Sequence, residues 1–236
     1  MAKLTVIIPC FNEAQNIPLL LQRFAAVLKR PDVELLLVDN GSTDGTDKIL
    51  SELLPAYSFA SSYRVSVNQG YGYGILQGLA QTSAEFIGWT HADMQTDPSD
   101  VLKALDIIEE QGAKPTVYVK GLRRGRRLVD EIFTTGMSIF ETVLLGVRLW
   151  DINAQPNIFH RSFFETWIDP PHDFSLDLFG LYQARVQGLQ VIRYDVRFTK
   201  RIHGQSKWNT GFTSRMKFIK RTVVYSLALK RNLRSY

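Results

Sequence analysis

Short apolar runs alternate with stretches of helical periodicity over the first 110 residues. The runs "LTVIIP", "VELLLVD", "YRVSV" and "EFIGWT" are each followed by a helical pattern, namely "IPLLLQRFAAVLK", "TDKILSELL", "YGILQGLAQ" and "DVLKALDIIEE". Continuous runs of valine, isoleucine and leucine are typical of strands that are covered on both faces. The pattern therefore predicts an α/β protein with a mainly parallel, Rossmann-like central sheet flanked by helices.

A further helical pattern occupies residues 211–236, after a domain that we predict to span residues 1–210. Apolar residues recur there at steps of three and four, with basic residues elsewhere on the helical wheel. The apolar positions are Phe212, Met216, Ile219, Val223 and Leu227, and the basic ones are Arg215, Lys217, Lys220 and Arg221. This basic amphipathic helix is expected to bind the surface of an anionic membrane or to pack on the domain or on a second subunit, so a homo-oligomer stays open.

The charge of the chain is concentrated at its C-terminal end. The 236 residues carry a formal charge of +5, and 45% of them are hydrophobic, as in a packed globular protein. Residues 193–236 contain twelve Lys or Arg and a single acid, Asp195, which is a local +11 and leaves −6 for the rest. No nucleic-acid-binding motif accompanies this basic region, so the sequence favours a membrane surface over nucleic acid as the partner.

Three features of the sequence bear on the compartment of the protein and on its relation to the membrane. A single cysteine, Cys10, forms no intrachain disulfide, and the opening apolar run is shorter than that of a signal peptide. No apolar stretch approaches the roughly 20 residues of a membrane-spanning helix. We therefore expect a peripheral protein on the cytoplasmic, inner face of the membrane.

Polar segments follow three of the predicted strands, where a mainly parallel sheet binds its ligands. They read "PCFNE", "DNGSTDGT" and "HADMQTDP". Asp44 and Asp97 are explained as turn and helix-capping residues. Asp39 differs, because it ends an apolar strand, where an ionised carboxylate requires partners such as ligand N–H or hydroxyl groups.

The segment "HADMQTDP" places His91, Asp93 and Gln95 at alternate positions, so that an extended chain brings their side chains to one side. A hard cation that is bound chiefly to substrate phosphates needs only one or two protein ligands, and an acid with an amide oxygen serves. Asp93 and Gln95 are therefore predicted ligands for Mn²⁺ or Mg²⁺. His91 is open between a ligand, for which imidazole favours Mn²⁺, a sugar contact and a spacer.

Six motifs occur in an order that resembles family 2 glycosyltransferases. They are "VIIPCFNEAQNI", "LLLVDNGSTDGT", "NQGYGYGILQGLA", "HADMQTDP", "GLRRG" and "RIHGQSK", from residue 4 to about residue 208. The branch they resemble contains dolichyl-phosphate mannose synthases and other polyprenyl-phosphate glycosyltransferases. The resemblance implies a GT-A fold, a UDP- or GDP-sugar donor and a divalent metal. It also implies an inverting attack by polyprenyl phosphate on the anomeric carbon of a hexose-type sugar.

The resemblance also implies site residues. The nucleotide would be bound by Pro9, Phe11, Glu13, Asp39, Ala92 and Asp93, and the metal by Asp93 and Gln95. Phosphate and acceptor groups would meet Arg123, Thr134, Arg201, Ser206 and Lys207. Of these, Asp93, Arg123 and Arg201 are the expected catalytic residues. An acceptor phosphate is already anionic, so no general base is nominated, and catalysis would rest on positioning and on charge stabilisation.

Three positions depart from the family pattern. His91 stands where the family has aspartate, and Asp130 stands where an acceptor-binding arginine is expected. In "DINAQPNIFHR", Gln155 and Asn157 replace a Gly-Phe region and are predicted sugar contacts, with a proline turn as the alternative. Two other functions therefore stay open. One is transfer to a glycan hydroxyl, with a base at Asp173 or Asp177; the other is non-catalytic nucleotide-sugar binding.

Overall fold

The computed structural model describes residues 2–199, 201 and 212–233, and in the last helix the side chains of residues 219–231. One sheet of seven strands forms the centre, in the spatial order β3-β2-β1-β4-β6-β5-β7. Only β6 runs antiparallel to its neighbours. The strands are β1 (Leu4–Cys10), β2 (Val33–Asn40), β3 (Ala60–Val65), β4 (Phe86–Trp89), β5 (Val117–Arg124), β6 (Asn157–His160) and β7 (Gln190–Arg197).

Helices cover both faces of the sheet, as the continuous apolar runs predict. Val6 and Ile8 of β1 belong to one buried cluster, whereas Ile7 belongs to the cluster on the opposite face. The predicted mainly parallel α/β fold is confirmed. The helices are α1 (Ile17–Val27), α2 (Thr46–Leu53), α3 (Tyr71–Gln81), α4 (Ser99–Glu110), α5 (Leu128–Leu145), α6 (Arg161–Glu165), α7 (Leu176–Val186) and α8 (Phe212–Leu233).

Two glycines allow β6 to lie between β4 and β5. A Cβ atom on Gly88 would stand 2.0 Å from the Asn157 carbonyl oxygen, and one on Gly121 would stand 2.0 Å from the Gln155 carbonyl oxygen. No side chain fits at such distances, so both strands need glycine at these positions. With β6 in this place the sheet is continuous, and β2, β1 and β4 lie side by side in it.

The C-terminal helix α8 packs against α5. Tyr225 and Leu229 contact a small apolar cluster that includes Leu145 and Leu149, and Ser226 is buried. The side of α8 that faces the protein therefore differs from the predicted apolar stripe, because Leu227 of that stripe is exposed. Among the helices in the described part of the chain, none is both long and apolar enough to cross a bilayer.

Candidate functional site

The loops that follow β1 and β2 are joined by side-chain hydrogen bonds. The Asn12 backbone N–H donates to Ser42 Oγ at 3.0 Å, and Asn12 Oδ1 accepts from the Thr43 N–H at 2.8 Å. Asp44 accepts from the N–H groups of Ala14 and Thr46, at 3.1 and 3.0 Å. Asp44 thus holds the two loops together in a structural role, while the N-cap of α2 is Gly45 rather than the predicted Asp44.

Asp39, at the end of β2, keeps an unused acceptor. Its side chain is buried, and Oδ1 accepts from the Ser42 N–H at 2.9 Å. Oδ2 has no hydrogen-bond partner within the described residues, and Arg64 Nε lies 3.7 Å from it. An open groove of about 470 Å³ borders this carboxylate and is lined also by Tyr63 and Lys48. The pair of one acceptor and one guanidinium suits a polar ring with both donors and acceptors.

Asp93 lies after β4 and is bound by Arg201. The Arg201 Nη2 donates to Asp93 Oδ2 at 2.8 Å, and Arg201 Nη1 lies 4.0 Å from Glu13 Oε1. Burial is the main reason that the pKa of Glu13 is raised, although its hydrogen bond with Asn16 and the charge of Arg201 act in the opposite direction. The structure therefore brings three of the expected nucleotide and phosphate residues together at one edge of the sheet.

The residues around Asp93 fit a metal that is bound mainly by substrate phosphates. The described residues contain no cluster of three or more His, Cys, Asp or Glu that could hold a metal ion unaided. However, the Asp93 carboxylate already accommodates one cationic group, the Arg201 guanidinium. Gln95 Nε2 donates to the Thr199 carbonyl at 3.0 Å, which fixes the orientation of the amide whose oxygen is the expected ligand. Two oxygen ligands are sufficient for such a cation.

The remaining predicted nucleotide and phosphate residues have the following positions. Pro9 lies in β1 and Phe11 directly after it, both partly exposed, while Ala92 is buried beside Asp93. His91 is partly exposed, with its ring 5.6 Å from that of Tyr71. Ser206 and Lys207 lie outside the described residues.

A buried hydrogen-bond network, which the sequence did not predict, connects Asp177, Gln155 and Tyr71. Asp177 Oδ1 accepts from Trp89 Nε1 at 3.1 Å and from Gln155 Nε2 at 2.8 Å. Gln155 Nε2 also lies 3.3 Å from the Tyr71 hydroxyl, which connects the network to the ring beside His91. In the sequence, the glycines of "GYGYG" were the available signal that another segment packs closely here. A Cβ on Gly70 would stand 2.3 Å from the His172 carbonyl oxygen, a contact that only glycine permits.

Asn157 requires a correction to the predicted sugar contacts. It is 0% exposed, and its Oδ1 accepts from the Tyr118 hydroxyl at 2.8 Å and from Lys120 Nζ. Its Nδ2 donates to Gln155 Oε1. Asn157 is therefore enclosed and holds Gln155, which is itself 1% exposed and donates to Asp177, so the same correction applies to Gln155.

Two arginines lie at the carboxyl end of β5 and share one aromatic ring. Arg123 is held by Asp151, to which its backbone N–H and its Nε both donate at 2.8 Å. The guanidinium carbons of Arg123 and Arg126 lie 5.4 and 5.8 Å from the centre of the Phe198 ring. Arg126 Nη1 also donates to Thr134 Oγ1. The predicted residues Arg123 and Thr134 are thus brought together, with Arg126 as an addition.

The segment after β7 connects these arginines with Asp93. Phe198 lies against Arg123 and Arg126, the Thr199 N–H donates to the Gln95 carbonyl at 2.8 Å, and Arg201 contacts Asp93. Residues of one short segment therefore contact both groups of predicted residues.

A sequence model of the family described as Glycosyl transferase family 2 matches residues 5–168. This chain belongs to glycosyl transferase family 2. The family resemblance is thereby confirmed for the five motifs within these residues, while "RIHGQSK" lies beyond them, and the family accounts for the GT-A arrangement of the sheet.

Two relatives from bacteria illustrate the similarity. The undecaprenyl-phosphate 4-deoxy-4-formamido-L-arabinose transferase of Photorhabdus laumondii is 28% identical over 216 residues, which are 88% of this chain and 63% of the relative. The chain thus spans less than two thirds of that relative. The polyprenol monophosphomannose synthase of Mycolicibacterium smegmatis is 29% identical over 219 residues, which are 86% of this chain and 79% of the relative.

Solved structures share the fold. A glucosyl-3-phosphoglycerate synthase from Mycobacterium tuberculosis, in complex with Mn²⁺, UDP and glucosyl-3-phosphoglycerate, has a TM-score of 0.70 at 16% identity and covers 97% of this chain and 80% of its own. A mannosyltransferase from Pyrobaculum calidifontis, in complex with GDP-Man and Mn²⁺, has a TM-score of 0.64 at 20% identity, over 86% of this chain and 58% of its own.

Proposed function

We propose that this protein transfers a hexose-type sugar, with inversion, from a UDP- or GDP-sugar to polyprenyl phosphate at the cytoplasmic face of a membrane. A lone pair of an acceptor phosphate oxygen forms the bond to the anomeric carbon. The bond from this carbon to the donor diphosphate breaks, and its electrons leave with the nucleoside diphosphate. The relatives named as undecaprenyl-phosphate and polyprenol transferases support this acceptor class.

The observation that carries the proposal is the connection between Asp93 and the arginine pair through one short segment. Arg201 contacts Asp93, and Phe198, three residues earlier, lies under the guanidinium groups of Arg123 and Arg126. This connection supports binding of the acceptor phosphate at the arginine pair and of the donor diphosphate beside Asp93, on either side of the same segment. Guanidinium groups suit both roles, since they bind phosphate oxygens through paired donors.

Two features support binding of the sugar nucleotide. They are the unused acceptor oxygen of Asp39 and the carboxylates of Asp93 and Glu13. Asp39 Oδ2 would accept an N–H group of the nucleotide base. Asp93 and Gln95 would hold a Mn²⁺ or Mg²⁺ ion, and such an ion, when bound, neutralises charge that develops on the leaving diphosphate. Arg201 would exchange the Asp93 carboxylate for a phosphate oxygen of the donor.

The two carboxylates considered as a base for a hydroxyl acceptor are both engaged. Asp177 is 1% exposed and accepts from Trp89, Gln155 and Asn157. Asp173 Oδ2 lies 3.1 Å from Arg221 Nε of α8. Both carboxylates are therefore already held by groups of the protein, which leaves them poorly placed to take a proton from an acceptor hydroxyl. This arrangement favours an acceptor that needs no deprotonation, which a phosphate is.

The exposed face of α5 supports attachment to a membrane surface. Leu128, Ile132, Ile139 and Val143 are between 56 and 77% exposed, and Val224 of the neighbouring α8 is 57% exposed. Exposed basic residues of α8, Lys220 and Arg231, accompany this face. Apolar side chains among cations bind the interface of an anionic leaflet. We therefore propose that α5, together with α8, forms the membrane-facing surface.

The function is tested by supplying a panel of UDP- and GDP-sugars, Mn²⁺ or Mg²⁺, and undecaprenyl phosphate in vesicles. We expect the wild type to form a glycosyl-phosphate lipid, identified by mass spectrometry, with an anomeric configuration opposite to that of the donor. Asp93→Asn should lower turnover by about 100-fold or more, because the variant loses the charged ligand that would hold the metal at the donor phosphates. The control Asp106→Asn, an exposed change on α4, should stay within about 2-fold of the wild type.

Two outcomes would contradict the proposal. Sugar transferred only to glycan hydroxyls, together with loss of turnover in Asp177→Asn, would establish the hydroxyl-acceptor alternative. Metal-dependent binding of a nucleotide without consumption of any sugar nucleotide would establish a non-catalytic binding protein.

A further inference from the structure

Arg126 has an environment that differs from that of the other arginines near the site. It is partly buried, and no carboxylate among the described residues lies within 4.0 Å of its guanidinium group. Among the described residues, its polar contact is the hydrogen bond that Nη1 donates to Thr134 Oγ1, and its guanidinium carbon lies 5.8 Å from the centre of the Phe198 ring. By contrast, Arg124 is exposed and pairs with Asp195 at 2.9 Å.

The charge of Arg126 is therefore incompletely compensated. Burial lowers the pKa of its guanidinium, and the positive charge of Arg123 lowers it further, while Asp151, Asp130 and Glu131 act in the opposite direction. Two guanidinium groups that share one aromatic ring repel each other unless an anion lies between them. Asp151 fixes Arg123 in place but makes no ion pair with Arg126 within the described residues.

A small cavity of about 40 Å³ adjoins this pair and opens to the surface. Its polar lining includes Arg123, Thr134 and Ser138, and its apolar lining includes Phe133 and Met137. Arg126 does not line the cavity itself but donates to Thr134 Oγ1, whose own proton stays available as a donor. The Arg123 guanidinium and the Thr134 hydroxyl next to apolar walls, with Arg126 held beside them, match a phosphate monoester of a hydrocarbon alcohol.

We infer that Arg126 is an acceptor-binding residue, which clamps the acceptor phosphate together with Arg123 and the Thr134 hydroxyl. Arg126 thus provides the second guanidinium that Asp130 does not supply at the position expected from the family pattern. The inference rests on the proposed function, because it assigns one contact to the phosphate of that acceptor.

The test uses geranyl phosphate, a short acceptor that stays in solution and separates the phosphate contact from membrane binding. Initial rates would be measured for the wild type, Arg126→Ala, Arg126→Lys and the control Arg127→Ala, which removes an exposed neighbouring charge. We expect Arg126→Ala to raise the KM for geranyl phosphate by about 10- to 100-fold, the loss of one or two charge-assisted hydrogen bonds. The KM for the sugar nucleotide should change by less than about 2-fold, and Arg126→Lys should recover part of the loss.

The outcomes separate this inference from the proposed function. Equal acceptor KM values for Arg126→Ala and Arg127→Ala, with an active wild type, would overturn only the role of Arg126. A wild type that uses neither geranyl nor undecaprenyl phosphate would overturn the proposed function and the inference with it. If Arg126→Ala does not fold, Arg126→Lys and Thr134→Val decide instead, and an unchanged acceptor KM in both would overturn the inference.

Discussion

Glu141 of α5 is buried against α8, and its protonation should control how firmly the two helices pack. Glu141 is 0% exposed, and burial raises the pKa of its carboxyl from 4.5 to about 7, against a smaller lowering effect of Ser226. Ser226 Oγ lies 2.8 Å from both Glu141 Oε1 and the Thr222 carbonyl. The Ser226 hydroxyl has one proton for these two acceptors, and Glu141 Oε2 has no hydrogen-bond partner among the described residues, so an ionised Glu141 is poorly compensated.

The direction of the pH effect follows from the raised pKa. The folded state binds the Glu141 proton more tightly than the unfolded state does, so the contribution is fully present below pH 4.5 and is lost as the pH rises through about 7. At 1.36 kcal/mol per unit, the interval from 4.5 to about 7 sets an upper limit of about 3 kcal/mol. Glu141→Gln imitates the neutral form and should escape this loss.

The assay compares thermal unfolding of the wild type and Glu141→Gln at pH 5, 6, 7 and 8. The advantage of the glutamine variant should grow by about 2 kcal/mol from pH 5 to pH 8, which is roughly 4–8 °C in Tm for a domain of this size. The control Glu131→Gln, an exposed position on the same helix, should give a constant offset. A Tm difference between Glu141→Gln and the wild type that is flat over this range would refute the reasoning.

Two further predictions concern the sheet and the membrane surface. Gly88→Ala should destabilise the fold by more than about 3 kcal/mol or prevent folding, because its Cβ would meet the Asn157 carbonyl. Gly136→Ala on α5, whose Cβ meets nothing within 4 Å, should instead stabilise the fold by about 0.5–1 kcal/mol. Urea unfolding measures both changes. Val143→Glu should weaken binding to anionic vesicles in a sedimentation assay, whereas Val67→Glu, at a position near β3 that is 65% exposed against 77% for Val143, should not. Equal binding of the two variants would contradict a membrane role for α5.

The apolar runs were sufficient to predict the parallel strands but not β6. The segment "NIFH" is short and begins with a buried asparagine, so it lacks the pattern of a strand. Its place is set by backbone contacts at Gly88 and Gly121, which are far away in the sequence. Tertiary contact, rather than local preference, determines this antiparallel strand.

The site was predictable where strand ends position it. Asp39 ends the apolar run of β2, Asp93 comes four residues after β4, and the sheet topology then brings them to one edge. Tyr71 and Arg126 were not predicted as members of the site, and Asp177 was named only as a base for a hydroxyl acceptor, because their roles depend on which segments meet in space. The same reason explains the correction at Asn157, which sequence alone could not distinguish from an exposed turn residue.

The contact of α8 with the loop before α7 bears on how this protein should be trimmed for laboratory use. Arg221 pairs with Asp173 and lies 5.4 Å from the ring of Phe174, which stacks on Tyr71 at 4.5 Å. Cutting the chain at residue 210, an obvious choice for a shortened variant, deletes Arg221 and Ser226 together. Such a truncation removes the contact of Arg221 with Phe174, which stacks on Tyr71, and uncovers the Glu141 carboxyl. A loss of activity in the shortened protein would therefore say little about membrane attachment.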